Sequence, residues 1–253
     1  MELLERAFAH NLLDFVRAAD EIAPDVRAVA MACGGGVAAF FGDNSPLTTV
    51  KGAGPALSSG DIDTAEDFFR RHGSRRVVFE VAPWVLPEAV NLLTLRGYEV
   101  AGTEDVVVCK PPFQHATPAL PVVSVSAGAW PALMLRVNEP SELPTWHSLA
   151  SISAVLPGVV RLGVLDEHGA SISCAELVPA LDVAIFGNDA TLLSARGRGA
   201  QQATIQQRLR YALALRFKLA AAEVARGSTS ERNYLRCGFS VAYARTHYAR
   251  LLG

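Results

Sequence analysis

The six residues Arg196 to Gln201, RGRGAQ, have types and spacing suited to chemistry. Gly197 and Gly199 carry no Cβ, so the backbone there can bring its N–H groups close to a ligand. Ahead of them, residues 181–193 (LDVAIFGNDATLL) are rich in branched and apolar side chains and predict a buried strand. Behind them, residues 202–217 place Ile205, Leu209, Ala212 and Leu213 on one side of an amphipathic helix. Glycines therefore lie where a strand gives way to the positively polarised start of a helix, a setting for a diphosphate.

Spacing separates three kinds of phosphate loop. A Walker loop needs Gly-Lys-Ser/Thr, and none follows Gly199. A dinucleotide fingerprint would start at Gly197, but its third glycine is replaced by Gln202. The third pattern, R/QxxGxG/A between a strand and a helix, is the pyrophosphate loop of the GNAT superfamily of N-acetyltransferases. RGRGAQ resembles it with Arg196 and Gly199 in place, and departs at Gln201, where Gly or Ala is usual. Downstream, Tyr234, Gly238 and Phe239 (YLRCGF) reproduce the superfamily's YxxxGF. Between the two motifs lie the helix, an apolar strand over residues 219–224, and a turn and cap at Gly227, Ser228 and Ser230.

Composition bounds the rest. The chain has 253 residues, half of them apolar, and a net charge of −2. That length allows one large domain or two small ones. Cys33, Cys109, Cys174 and Cys237 have no metal-ligand spacing and read as reduced core thiols, so no metal is expected. The first 21 residues form a charged amphipathic helix unlike a signal peptide, and the most apolar run, residues 28–41, is too short for a bilayer. A soluble, cytoplasmic protein without membrane contact is expected. Residues 1–118 hold 10 basic and 16 acidic side chains, residues 119–253 hold 13 and 9. The basic excess lies around the motifs and suits a polyanion such as coenzyme A, although Arg208, Arg210 and Arg216 read as solvated helix charges. Without a basic tail or interleaved aromatics, nucleic acid is not expected.

In the first half, residues 26–32 and 37–42 predict a strand pair. Asp63 and Glu66 offer a capping box for a helix over residues 64–71, followed by a strand over 76–81, a helix over 87–95 ending at Gly97, and a strand over 106–109. Residues 110–121, KPPFQHATPALP, read as a linker. In the second half, residues 122–125 predict a strand, 130–135 a helical start, and 159–165 with 171–178 a hairpin about DEHG. The order repeats: NLLTLRGYEV (91–100) aligns with RNYLRCGFSV (232–241), and KGAG (51–54) falls where the first half would hold its own loop. The chain therefore resembles a tandem GNAT protein of α/β (α+β) class. It is read as two GNAT-like domains, each a mixed, mostly antiparallel sheet flanked by helices. Residues 1–112 form a degenerate domain, 113–121 a proline-rich linker and 122–253 the acetyltransferase domain.

The resemblance implies an acetyl-CoA-dependent N-acetyltransferase that passes an acetyl group directly to a small-molecule or peptide amine. Its rival is a non-catalytic acyl-CoA-binding or regulatory module. By resemblance, N–H groups of Arg198, Gly199, Ala200 and Gln201 hold the pyrophosphate, with charge from Arg196 and Arg198 around Gly197. Thr191, Leu192 and Leu193 run beside the pantetheine, with an unpaired N–H near Thr191 or Leu192 for the thioester oxygen. Ser228, Arg232 and Asn233 are candidates for the far end of the cofactor, or, for Ser228, a helix cap. Tyr234 matches the general acid, or is a core aromatic. Glu176, Asp189 and Glu223 are candidate bases, and Trp146 and His147 lie in the stretch that covers the acceptor pocket in the superfamily. The acceptor and the oligomeric state are left open.

Overall fold

The computed structural model describes residues 2–43, 45–138 and 145–253. Pro140, where the sequence marks an interruption ahead of Trp146, lies outside them, as does Pro144. The chain forms two compact units, residues 1–105 with 243–253, and residues 106–242. The C-terminal eleven residues thus group with the first unit.

The first unit contains helix α1 (Glu2–Ile22), strands β1 (Val29–Cys33), β2 (Gly36–Phe40) and β3 (Thr49–Lys51), helix α2 (Ser59–Arg71), strand β4 (Arg76–Val81), helix α3 (Pro87–Leu95) and the start of β5 (Glu99–Cys109). It also takes most of β11 (Ser240–Leu251). Its strands run β1-β2-β3-β4-β11-β5. Only β3 against β4 is parallel among the registers described here, and β11 pairs antiparallel with β4 from Thr246↔Val81 to Leu251↔Arg76. Apolar residues spaced three and four apart make α1 amphipathic, with Leu4, Phe8, Leu12, Phe15 and Ala19 buried. Ile62, Ala65 and Phe69 of α2 pack on Val77 and Phe79 of β4 and on Leu93 of α3.

One expected cap moves. Helix α2 starts at Ser59, not Thr64, because Ser58 and Asp61 form the capping box. Asp63 and Glu66 are drawn elsewhere: Asp63 accepts from Arg96 at 2.5 Å and Glu66 from Tyr98 at 3.2 Å.

The second unit contains the end of β5, β6 (Val122–Ser124), α4 (Trp130–Val137), α5 (Thr145–Val155), β7 (Val160–Leu165), β8 (Ser171–Ala180), β9 (Val183–Thr191), α6 (Ala200–Ala214), β10 (Leu219–Ala225) and α7 (Thr229–Arg236). The strand order is β5-β10-β9-β8-β7-β6, antiparallel from β9 to β6 and parallel between β9 and β10. One face carries α6 and α7 through Ile205, Leu209, Phe186, Tyr234 and Phe239. The other carries α4 and α5 through Trp130, Met134, Ala150 and Cys174. All four cysteines are free and buried. Among the described residues no helix is long and apolar enough to cross a membrane.

Helices α3 and α7 end in the same way, as does α2 at Gly73. Gly97 after α3 and Gly238 after α7 both adopt left-handed φ, +80° and +90°. Each is followed by the same helix-closing bond, Tyr98 N–H to Leu93 O at 3.0 Å and Phe239 N–H to Tyr234 O at 3.2 Å.

Candidate functional site

The motif RGRGAQ lies where the sequence places it, between β9 and α6. After Thr191 the chain makes a short 3₁₀ turn (Leu193–Ala195), extends through Arg196 and enters α6 at Ala200. Gly197 and Gly199 both have left-handed φ, +79° and +84°, which L side chains rarely adopt. Gly199 is the N-cap and supplies no side chain, so among the described residues no side-chain cap meets the first N–H groups of α6. They open onto a cavity of about 820 Å³ bordered by Thr191, Arg196, Gly197, Ala200 and Gln201. Gln201, the residue that departs from the motif, does not cover the helix start. Its amide donates to Ser230 Oγ at 2.7 Å and its oxygen accepts from Asn233 at 2.8 Å, tying α6 to α7.

Beside this loop the sheet comes apart. Strands β9 and β10 pair only from Leu219↔Val183 to Ala221↔Ile185, although β9 continues to Thr191 and β10 to Ala225. The opening thus begins after Ile185, ahead of the expected Thr191, and the N–H of Leu192, expected to be unpaired, is bonded to Ile172 O at 3.0 Å.

A bulge in β9 then sets what faces the opening. Cys174 pairs with Ala190 and Glu176 with Gly187, leaving Asn188 and Asp189 opposite the single residue Ala175. Asn188 takes φ +50°. In a regular strand, even-numbered side chains would all share one face. Here Ala184 and Phe186 pack toward α6, whereas Ala190 packs toward α4 and α5. The extra residue flips the phase and turns Asp189 toward α6 and α7.

There, Asp189 Oδ1 accepts from Arg208 at 2.5 Å and Oδ2 from the Tyr234 hydroxyl at 2.5 Å. Arg208 also donates to Glu176 O at 3.0 Å and lies 4.5 Å over the Phe186 ring. Far from being a solvated helix charge, Arg208 is wholly buried. Its position among Thr204, Ile205, Leu209 and Ala212 on the buried face of α6 was the available signal. Burial pushes the Tyr234 phenol well above its ordinary range, and the neighbouring Asp189 adds to this while Arg208 opposes it.

Two expected catalytic residues do not border the cavity. Tyr234 is buried against Phe239, ring centroids 4.9 Å apart, with its hydroxyl turned to Asp189. Glu176 is buried on β8, accepting from Ser153 at 2.7 Å and from the Asn188 amide at 2.6 Å, and Ser153 in turn accepts from Trp130 at 3.0 Å. Burial raises the Glu176 pKa, opposed by Ser153, Arg161 and Asn188. Asp189, Thr191 and Asn233 do border the cavity, together with Ser173, Cys174 and Asn138. Ser228 caps α7, accepting from Glu231 N–H at 3.0 Å. Leu193 is exposed, Trp146 packs beside the α4 cluster and His147 is at the surface.

No protein-family model matches the chain, and no curated protein matches it in sequence. Solved structures do. A GCN5-related N-acetyltransferase from Kribbella flavida superposes over 98% of this chain and 96% of its own, with a TM-score of 0.69 at 16% identity. A tandem GNAT protein from the clavulanic acid biosynthesis pathway covers 95% of this chain and 88% of its own, with a TM-score of 0.67 at 15% identity. The chain has the GNAT fold. A GCN5-related N-acetyltransferase from Sphaerobacter thermophilus shares it over 76% of this chain and 67% of its own, at a TM-score of 0.59 and 14% identity.

Within the first unit, Gly34, Gly52, Gly54, Pro55 and Asp61 border a cavity of about 470 Å³ at the corresponding loop. The Asp61 carboxylate accepts from Gly34 N–H at 3.2 Å, Ser58 N–H at 2.9 Å and Ser58 Oγ at 2.6 Å, so an internal anion meets the donors at the start of α2. Helix α1 presses on the glycines, and a Cβ on Gly52 would come within 2.9 Å of Glu5 O. Nearby, Glu80, Glu104 and His247 bring ligand atoms within 4.8 Å of one another. Lys51 at 3.0 Å and Arg245 at 3.2 Å from Glu80 Oε2 supply the positive charge there.

Proposed function

We propose that the second unit is an acetyl-CoA-dependent N-acetyltransferase acting directly on an amine. The observation that carries this reading is the uncapped start of α6, reached through two left-handed glycines beside the gap between β9 and β10. Free N–H groups and a helix dipole favour a diphosphate there, and Arg196 and Arg198 add positive charge. Thr191 borders the path from the loop toward Asp189, where a pantetheine arm would bring its thioester. Beyond Ile185, β9 has no register with β10, and a backbone N–H of that stretch is the proposed donor for the thioester oxygen. Holding a neutral amine against that carbonyl supplies the proximity on which direct transfer depends.

The first unit is proposed to bind no cofactor, because the Asp61 carboxylate, itself an anion bordering that cavity, accepts the Gly34 and Ser58 N–H groups there. The test is thiol release from acetyl-CoA with a panel of alkyl, aminoglycoside, amino-acid and peptide amines. Release that depends on one amine class supports the reading. Binding of acetyl-CoA without release for any amine would favour a non-catalytic acyl-CoA-binding module.

A further inference from the structure

Resting on the acetyltransferase reading, we propose that Asp189 is the residue that meets the reacting atoms and carries the proton from nitrogen to sulfur, while Tyr234 acts through it. Three groups from three elements meet at this point: Asp189 on the β9 bulge, Arg208 on α6 and Tyr234 on α7. Only Asp189 borders the cavity, with its side chain 11% exposed against 0% for Arg208. Tyr234, 1% exposed, has committed its hydroxyl proton to Asp189 Oδ2. A proton moving between the cavity and this cluster therefore passes through the carboxylate.

A carboxylate oxygen accepts more than one hydrogen bond. Arg208 and Tyr234 each take one place, on opposite oxygens, which fixes the group and leaves acceptor capacity for a ligand. As the neutral amine attacks the thioester carbonyl, the C–N bond forms and the C–S bond breaks. One proton leaves the nitrogen for Asp189, and Asp189 passes a proton to the departing thiolate. The residue ends as it began, and no outside acid or base is consumed. Tyr234 and Arg208 are positioning residues in this scheme, and the Asn188 bulge aims the carboxylate.

Two variants decide it, each checked for fold by the thermal shift that acetyl-CoA gives. Asp189→Asn should lower kcat by about 10²- to 10⁴-fold, as loss of a proton-transfer group does. Its KM for acetyl-CoA should stay unchanged, so that the loss falls on kcat. Tyr234→Phe keeps the Arg208 pair and should lose no more than about tenfold in kcat, the worth of one positioning hydrogen bond, with KM for acetyl-CoA unchanged. The proposal is overturned if Tyr234→Phe loses about a thousandfold in kcat while still giving the shift, since that is the mark of a direct acid. Turnover by Asp189→Asn within about tenfold of wild type would overturn it equally. Wild-type protein that binds acetyl-CoA yet releases no thiol with any amine would fell the acetyltransferase reading, and this inference with it.

Discussion

The carboxylate of Asp61 accepts the backbone N–H of Gly34 at 3.2 Å, joining residues 27 apart in the chain. The same side chain closes the capping box with Ser58, and hydrogen bonds from the Ser58 hydroxyl and N–H hold its pKa below the ordinary carboxylate value. Asp61→Asn should therefore destabilise the first unit by about 1 kcal/mol, as loss of a cap does, without altering the acetyl-CoA response of the second. The stabilisation is present above the unfolded carboxyl pKa of about 3.9 and is lost as pH falls through the lower folded value. Urea titrations of both proteins near neutrality and in acid check this. Equal stability at neutral pH would show that the carboxylate is not holding the turn.

His247 on β11 should make the first unit's stability depend on pH in the opposite sense. Its imidazole Nε2 lies 3.4 Å from Glu104 Oε1, and donating toward that carboxylate raises its pKa, with burial opposing and Glu80 assisting. Burial would lift Glu104, but His247, Lys51 and Arg245 outweigh it and bring it to about 2. A raised histidine stabilises fully below its unfolded pKa of about 6.5 and ceases to as pH climbs through its folded value. The urea midpoint should be lower at about pH 9 than at about pH 6, and His247→Gln should flatten the difference. A pH-independent wild type would remove His247 from the network.

Glu176→Gln should leave turnover within about tenfold of wild type, because the carboxyl is enclosed and not on the cavity wall. The variant keeps an oxygen for Asn188, and its amide can donate to Ser153. Since burial raises the folded pKa, ionisation above about 4.3 costs stability, and glutamine removes that cost. Thermal melts in mildly alkaline buffer should place the variant at or above wild type. A drop of several degrees, or a thousandfold loss of activity, would return Glu176 to a charged role.

Local signals made much of this legible from sequence. Strand β4 and helix α3 fall where the apolar run, Pro87 and Gly97 put them. The motif loop stands between its expected strand and helix because glycine and helix periodicity are properties of adjacent residues. What escaped depends on distant partners. Asp63 and Glu66 imitate a capping box, yet Arg96, Tyr98 and Arg250 hold them from far along the chain. Strand β11 belongs largely to the first unit because its partner β4 lies some 165 residues earlier. The side on which Asp189 falls is set by a one-residue bulge, visible only in the register with β8.

Calorimetric titration with acetyl-CoA tests the central claim most directly. Gly199 stands at φ +84° with only Gln202 Oε1 near an added Cβ, at 3.9 Å, so a branched side chain there changes the loop backbone more than it crowds the protein. Wild-type protein and Asp61→Asn should each bind one acetyl-CoA per chain, and Gly199→Val should bind none while still melting cooperatively. Two sites per chain, or binding by Gly199→Val equal to wild type, would contradict the assignment of the cofactor to the start of α6.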